Sequence, residues 1–231
     1  MDKNYWIDFW ENYGRDSKGK DKQIQVLRTL NKNPISEELW DFTKSFISSR
    51  FPILPQDKVL DLCSGNVLFS NYFVSQGAKV VSVDISKDLL NEIEDTVNIQ
   101  TVHSDIRNLD FEPRTFDKIF LYAGIQYLDN KEALTLMKNC FNWLKPGGIV
   151  YIGDIPDLDR QWEFYNTIER QKIYFDNLLN NISIVGNWFR KTWFENLSSY
   201  LGFEEGVYVS QHKRLIYSNF RFDFIYKKAN E

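Results

Sequence analysis

The stretch Val59-Leu60-Asp61-Leu62-Cys63-Ser64-Gly65-Asn66, with Val80-Val81-Ser82-Val83-Asp84 downstream, decides the reading of this chain. It reads as a buried strand running into a tight turn and a helix, then a second buried strand ending in an acidic residue. Gly65 and Asp84 stand nineteen positions apart. That is close to the roughly 20 between the glycine turn of a Rossmann-type nucleotide site and the carboxylate that grips ribose hydroxyls. The spacing predicts a site for a nucleoside-containing cofactor.

The turn itself discriminates between cofactors. A dinucleotide pyrophosphate needs several glycines, so that backbone can approach the phosphates at the helix N-terminus. Here Gly65 stands alone, and Cys63 and Val67 occupy positions where further glycines would be wanted. S-adenosylmethionine (SAM) has no phosphate and carries a positive sulfonium and ammonium, to which Asp61 offers a counter-charge.

At these residues the chain resembles the class I, Rossmann-like SAM-dependent methyltransferases. Val59 to Gly65 matches their first motif and Val83-Asp84-Ile85-Ser86 their acidic loop. Ser104-Asp105-Ile106 matches the adenine-side motif, Phe116-Asp117-Lys118-Ile119 the fourth strand, and Leu144-Lys145-Pro146-Gly147-Gly148 the turn before the fifth. Each motif is weak alone, but they follow in the right order across about residues 57–153. The resemblance implies an α/β fold: a doubly wound, mostly parallel seven-stranded sheet with an antiparallel last strand, flanked by helices.

It also implies roles. Asp61 would support the SAM ammonium, or else cap its own loop. Cys63, Ser64 and Gly65 would act through backbone, and Cys63 has no adjacent His or Lys to activate its thiol. Asp84 would accept both ribose hydroxyls, beside Ile85; its alternative is a helix cap, which Ser86 can supply instead. Asp105 would accept the adenine amino group, with the Ile106 amide at the ring edge, or be a surface turn residue. Tyr122 and Ala123 would line the sulfonium pocket through their carbonyls. Arg28 could pair with the SAM carboxylate, although a solvated surface arginine is the more ordinary reading.

Methyl transfer asks mainly for alignment of acceptor, methyl carbon and sulfur within about 3–3.5 Å, with water excluded. An oxygen acceptor also loses a proton, and Asp154, His212 and Tyr127 are the candidate bases. His103 reads as structural or near the adenine. Catalysis by alignment alone stays open.

The chain's 231 residues suit one domain, with 43% hydrophobic and 16% aromatic residues arguing against disorder. A net charge of −4 argues against a nucleic-acid partner. Two cysteines make no disulfide framework, there is no Cys/His metal spacing, the N-terminus lacks a signal-peptide core and no run approaches a membrane span. A cytoplasmic protein acting without metal on a small-molecule acceptor, as monomer or homodimer, is expected.

The organisation reads as a single methyltransferase domain in four parts. An N-terminal helical lid covers 1–52, the SAM core 53–153, a helical acceptor-side insert 154–202 and a C-terminal strand pair 203–231. Ser36 predicts a helix cap, with Leu39, Phe42, Phe46 and Ile47 on one face. Strands are expected near 58–63, 79–83, 99–103, 117–122 and 149–153, and helices near 66–76, 86–95 and 131–144. Glu204–Ser210 and the alternating Asn219–Tyr226 predict a strand pair joined by Gln211–Lys213. Trp162, Tyr165, Trp188 and Phe189 of the insert would wall an acceptor pocket, or form core or a dimer interface.

Other acceptors are disfavoured. Amino-methylating nucleic-acid enzymes carry an Asn/Asp-Pro-Pro-aromatic tetrad where this chain has Tyr122-Ala123-Gly124-Ile125, and cytosine-C5 enzymes need a Pro-Cys nucleophile. The acidic pattern of metal-dependent catechol-type enzymes is also missing. What remains is methylation of an O or N atom of a small molecule, such as a sugar, lipid or secondary-metabolite precursor. A non-catalytic SAM- or nucleoside-binding protein is the alternative that the eroded glycine pattern favours. A nicotinamide oxidoreductase is disfavoured by the single loop glycine.

Overall fold

The protein is described by a computed structural model over residues 5–91, 97–180 and 182–230. The N-terminal segment forms α1 (Tyr5–Asp16) and α2 (Lys22–Gln25), a two-residue ladder between Thr29–Leu30 and Asn33–Pro34, and α3 (Glu37–Ser48). Ser36 caps α3 by accepting from the Leu39 amide at 3.2 Å, with Glu37 and Glu38 complementing the dipole in the first turn.

The core alternates strand and helix: β1 (Lys58–Leu62), α4 (Leu68–Ser75), β2 (Lys79–Asp84), α5 (Lys87–Leu90), β3 (Ile99–His103), β4 (Phe116–Tyr122), α6 (Asn130–Trp143) and β5 (Leu144–Pro156). Then follow α7 (Gln161–Phe164), α8 (Ile168–Leu179), α9 (Lys191–Leu201), β6 (Glu205–Ser210) and β7 (Arg221–Lys227). The seven strands stand in the order β3-β2-β1-β4-β5-β7-β6. The first five are parallel, and β7 is antiparallel to both neighbours.

Successive residues of each strand feed opposite faces of the sheet. Val59, Val80 and Phe120 pack with Phe46, Ile47, Phe69 and Phe73 of α3 and α4. Leu60, Val81, Ile119 and Leu121 pack with Met137, Cys140 and Phe194 of α6 and α9. Burial on both faces is why these strands read as continuous apolar runs. The chain leaves β1 toward β2 and β3 and returns to β4 on the other side of β1, so a crevice opens at the carboxyl ends of β1 and β4.

Several boundaries differ from the sequence reading. Strand β5 runs from Leu144 to Pro156 rather than 149–153, because its pairing with β7 continues past a register shift between Ile152 and Ile155. Helix α5 is described over Lys87–Leu90, and residues 92–95 of the expected helix lie outside the described residues. The link between β6 and β7 is the whole segment 211–220 rather than a three-residue turn. The expected helical insert holds two helices, α8 and α9, on either side of Gly186, preceded by the one-turn α7, and no residue of α8 is buried.

Candidate active site

A cavity of about 440 Å³ opens at the carboxyl edge of the sheet, within the size range of small-molecule sites. Of the residues singled out from sequence, Arg28, Asp61, Cys63, Ser64, Gly65, Asp84, Ile85, Asp105, Ile106, Tyr122, Tyr127 and Asp154 line it, and His212 does not.

The turn after β1 keeps the backbone of a glycine-rich loop without the glycines. Cys63, Gly65 and Val67 have φ of 56°, 55° and 61°, a left-handed conformation that costs a side-chain-bearing residue energy. Ala123 after β4 and Asp154 within β5 share it, at 55° and 59°. Of these side-chain-bearing positions, Cys63, Ala123 and Asp154 line the cavity. Gly65 is also sterically required, since a Cβ there would meet Val26 Cγ1 at 2.6 Å. The N-terminal segment is locked to this turn by Asn66, whose amide donates to Gln25 Oε1 at 2.6 Å and to the Lys22 carbonyl at 2.8 Å.

Asp84 is tied to both neighbouring loops. Its Oδ2 accepts from the Gly65 amide and its Oδ1 from the Ser86 amide, each at 2.8 Å. Burial raises its pKa, against the backbone hydrogen bonds that favour the carboxylate. Asp61, 2% exposed, accepts from Ser70 Oγ at 2.5 Å, and Ser70 in turn meets Ser82 Oγ at 2.7 Å. Burial pushes the Asp61 carboxyl up to about 7; the Ser70 hydrogen bond opposes this and the Asp84 charge adds to it. Burial, followed by Asp84 and Asp61, holds the Cys63 thiol well above its usual range, so it stays protonated. Asp105 caps the short turn Ile106–Asn108, accepting from the Arg107 amide at 2.9 Å, and its carboxylate also forks with the Arg107 guanidinium at 2.6–3.0 Å. Arg107, paired in turn with Glu132, therefore takes much of the acceptor capacity expected to be free for a base.

Arg28 corrects the surface reading. It is 8% exposed, with its guanidinium over the Tyr122 ring at 4.4 Å. His212 is corrected in the other direction. It is exposed against Phe42, at 4.9 Å between rings, with Nδ1 accepting from the Arg214 amide, because the 211–220 link carries it away from the cavity. His103 is exposed, its Nε2 at 2.9 Å from the Ile85 carbonyl. The insert contributes Phe164, Ile184 and Val185 rather than Trp162, Tyr165, Trp188 and Phe189; Trp162 is 53% exposed, and Tyr165 and Phe189 are buried in packing.

The other wall comes from helix α1. Its Trp6 and Trp10 lie 4.7 and 5.8 Å from the Tyr127 ring. The helix seats against α5 through Gly14, where a Cβ would meet Ser86 Oγ at 2.1 Å. Burial lifts the Tyr127 and Tyr122 hydroxyls above their usual range.

Four polar residues were invisible from sequence: Gln126, Gln211, Arg221 and Asp223. Asp223 is fully buried, accepting from Tyr151 Oη at 2.5 Å, Gln211 Nε2 at 2.7 Å and the Asp154 amide at 2.8 Å. Burial raises it to about 6 against those donors. Arg221 Nη1 donates to the Asp154 carbonyl at 2.5 Å and lies 3.8 Å from its carboxylate. This network sits in the β5 bulge and fixes where Asp154 stands. Alternation in Asn219–Tyr226 marked a strand, but a buried Asp or Arg within it carries no local signal.

Among the described residues no group of His, Cys, Asp and Glu is placed to hold a metal ion, and no helix is long and apolar enough to cross a membrane.

Comparison with known proteins agrees with this geometry. Residues 59–148 match the family model described as methyltransferase domain. The chain is 28% identical over 149 residues to a demethylmenaquinone methyltransferase of Staphylococcus saprophyticus, covering 58% of this chain and 63% of that one. It is 26% identical to a ubiquinone biosynthesis O-methyltransferase of Xanthomonas campestris, covering 61% and 55%. The chain thus spans less than two thirds of either relative. A solved structure of Haemonchus contortus phosphoethanolamine N-methyltransferase 2, holding phosphomonomethylethanolamine and S-adenosylhomocysteine, superposes with a TM-score of 0.67 at 15% identity, over 96% of this chain and 60% of that one, a likeness of fold. In its matched core and its strand order, the chain is similar to the class I, Rossmann-like SAM-dependent methyltransferases and shares their fold.

Proposed function

We propose that this protein binds SAM and transfers its methyl group to an O or N atom of a small molecule, such as a sugar, lipid or secondary-metabolite precursor. One observation carries the reading. A single cavity joins a cofactor half, lined by Asp61, Ser64, Gly65, Asp84 and Ile106, to a second half with Asp154, Tyr127 and the α1 aromatics. The residues fit the cofactor. Asp61 and Asp84 suit a ligand with positive groups and ribose hydroxyls, and the buried Ser64 Oγ has no hydrogen-bond partner among the described residues.

SAM, when bound, supplies a methyl group already activated on a sulfonium. Asp84 would hold the ribose, Asp105 and Ile106 the adenine side, Asp61 the ammonium and Arg28 the carboxylate. Ile85 and the Tyr122 and Ala123 carbonyls would complete the wall. The chain's remaining work is to align the acceptor and exclude water, a task the clustered Trp6, Trp10 and Tyr127 rings would serve. Asp154, in a left-handed conformation at the bulge, would take an acceptor proton. The binding-only alternative drew on the missing glycines; Cys63 and Val67 keep the glycine-type backbone there, which weakens it.

The test is a calorimetric titration with SAM, S-adenosylhomocysteine and NAD, followed by an acceptor screen with methyl-labelled SAM. Binding of NAD but neither sulfur nucleoside would overturn the proposal.

A further inference from the structure

We infer that the methyl acceptor carries an anionic group, a carboxylate or a phosphate, received by the Nε–Nη2 edge of Arg221. This rests on reading the cavity's second half as the acceptor site.

Arg221 lines the cavity and is 8% exposed, so its charge is withdrawn from water. Such a guanidinium is stable only when its N–H groups are satisfied. Its hydrogen bonds among the described residues both run from Nη1, to the Asp154 carbonyl at 2.5 Å and to Gln126 Oε1 at 3.5 Å. The Asp154 carboxylate also lies off Nη1, at 3.8 Å, beyond hydrogen-bond length. Nε is buried with no hydrogen-bond partner among the described residues. The edge left over is the fork that matches two oxygens of one carboxylate or phosphate.

The neighbouring charges allow an anion there. Asp223, the next carboxylate along the strand, is enclosed by donors from Tyr151, Gln211 and the Asp154 amide. Asp154 faces two arginines, since the Arg28 charge also reaches it. The Tyr217 and Phe220 rings lie 5.7 and 5.4 Å from the Arg221 guanidinium, giving the site apolar sides that exclude water. A neutral acceptor could offer this edge one uncharged oxygen at most; an anionic one matches both its charge and its fork. Opposite, the tryptophans of α1 would take the apolar body of the same molecule.

The experiment titrates the protein, with and without S-adenosylhomocysteine, against benzoate, phenyl phosphate and uncharged benzamide at low ionic strength. At least one anion is expected to bind roughly tenfold tighter than benzamide, and the tighter of the two names the group. Arg221→Gln should abolish that preference while S-adenosylhomocysteine affinity stays within about twofold. Should Arg221→Gln lose its cooperative melt, Arg221→Lys decides, because it keeps the charge without the fork and should bind the anion about tenfold more weakly than wild type. Equal binding of the three probes, no anion binding up to about 10 mM, or a preference unchanged in the deciding variant overturns the inference. A wild-type protein that binds the anion but no S-adenosylhomocysteine or SAM leaves the anion site standing and sinks the methyltransferase reading.

Discussion

The Gly65 amide donates to Asp84 Oδ2 at 2.8 Å, across nineteen residues of sequence. The carboxylate at the end of β2 thus fixes the turn at the end of β1. A second tie, from the Ser64 amide to the Val83 carbonyl at 3.0 Å, extends the same junction.

Asp84→Ala is expected to weaken SAM by roughly tenfold to a hundredfold, the cost of about 1–3 kcal/mol for leaving ribose hydroxyls unpaired. Calorimetry gives the affinity, and a cooperative melt shows that the fold persists. Unchanged affinity in a folded variant would remove Asp84 from the cofactor site.

Asp61 should make SAM binding depend on pH. Burial lifts its pKa to about 7, and a cationic ligand prefers the ionised carboxylate. Below about pH 7, affinity should fall by up to tenfold per unit, with proton release on binding, and Asp61→Asn should flatten the profile. In the free protein the sign is opposite. The folded state holds this proton more tightly than the unfolded chain, whose carboxyl titrates near about 3.9, so this contribution to stability is lost as pH rises from about 4 through 7. Melting temperatures of wild type and Asp61→Asn across that window measure it.

Cys63 should be a slow nucleophile despite lining the cavity. Its thiol is held protonated by burial and by Asp84 and Asp61. Iodoacetamide at pH 8 should modify it far more slowly than a free thiol, and SAM should slow it further. Rapid labelling in the folded protein would contradict the geometry of the turn.

Asp154 and Tyr127 separate cleanly as bases. Burial raises the Tyr127 hydroxyl, so it is a poor proton acceptor, and Tyr127→Phe should keep kcat within about tenfold. Asp154→Asn should lower kcat by about 10²–10⁴ if an oxygen acceptor is deprotonated there. Equal, small effects in both would indicate catalysis by alignment alone.

Cofactor binding and turnover should survive chelation, because no ligand cluster for a metal is assembled among the described residues. Activity lost in EDTA and restored by magnesium would overturn this.

The sequence by itself determined the core: where β1 to β4 run, the order in which their motifs reach the carboxyl edge, and Asp61, Asp84 and Tyr122 on the cavity wall. Those features are local. Apolar runs buried on both faces make parallel strands, and the residue ending each strand falls at the carboxyl edge wherever the strand packs. Tertiary structure alone decided the second half of the cavity. Arg28 looked like a surface residue until the Asn66 tie pulled its segment across the turn, and His212 looked like a site residue until the 211–220 link turned it toward Phe42. Asp154 meets Asp223 and Arg221 across 69 and 67 residues, through a bulge that no local pattern announces. Pairs so distant along the chain are set by sheet register, and a register is chosen by the summed burial of whole strands rather than by the few polar residues it brings together.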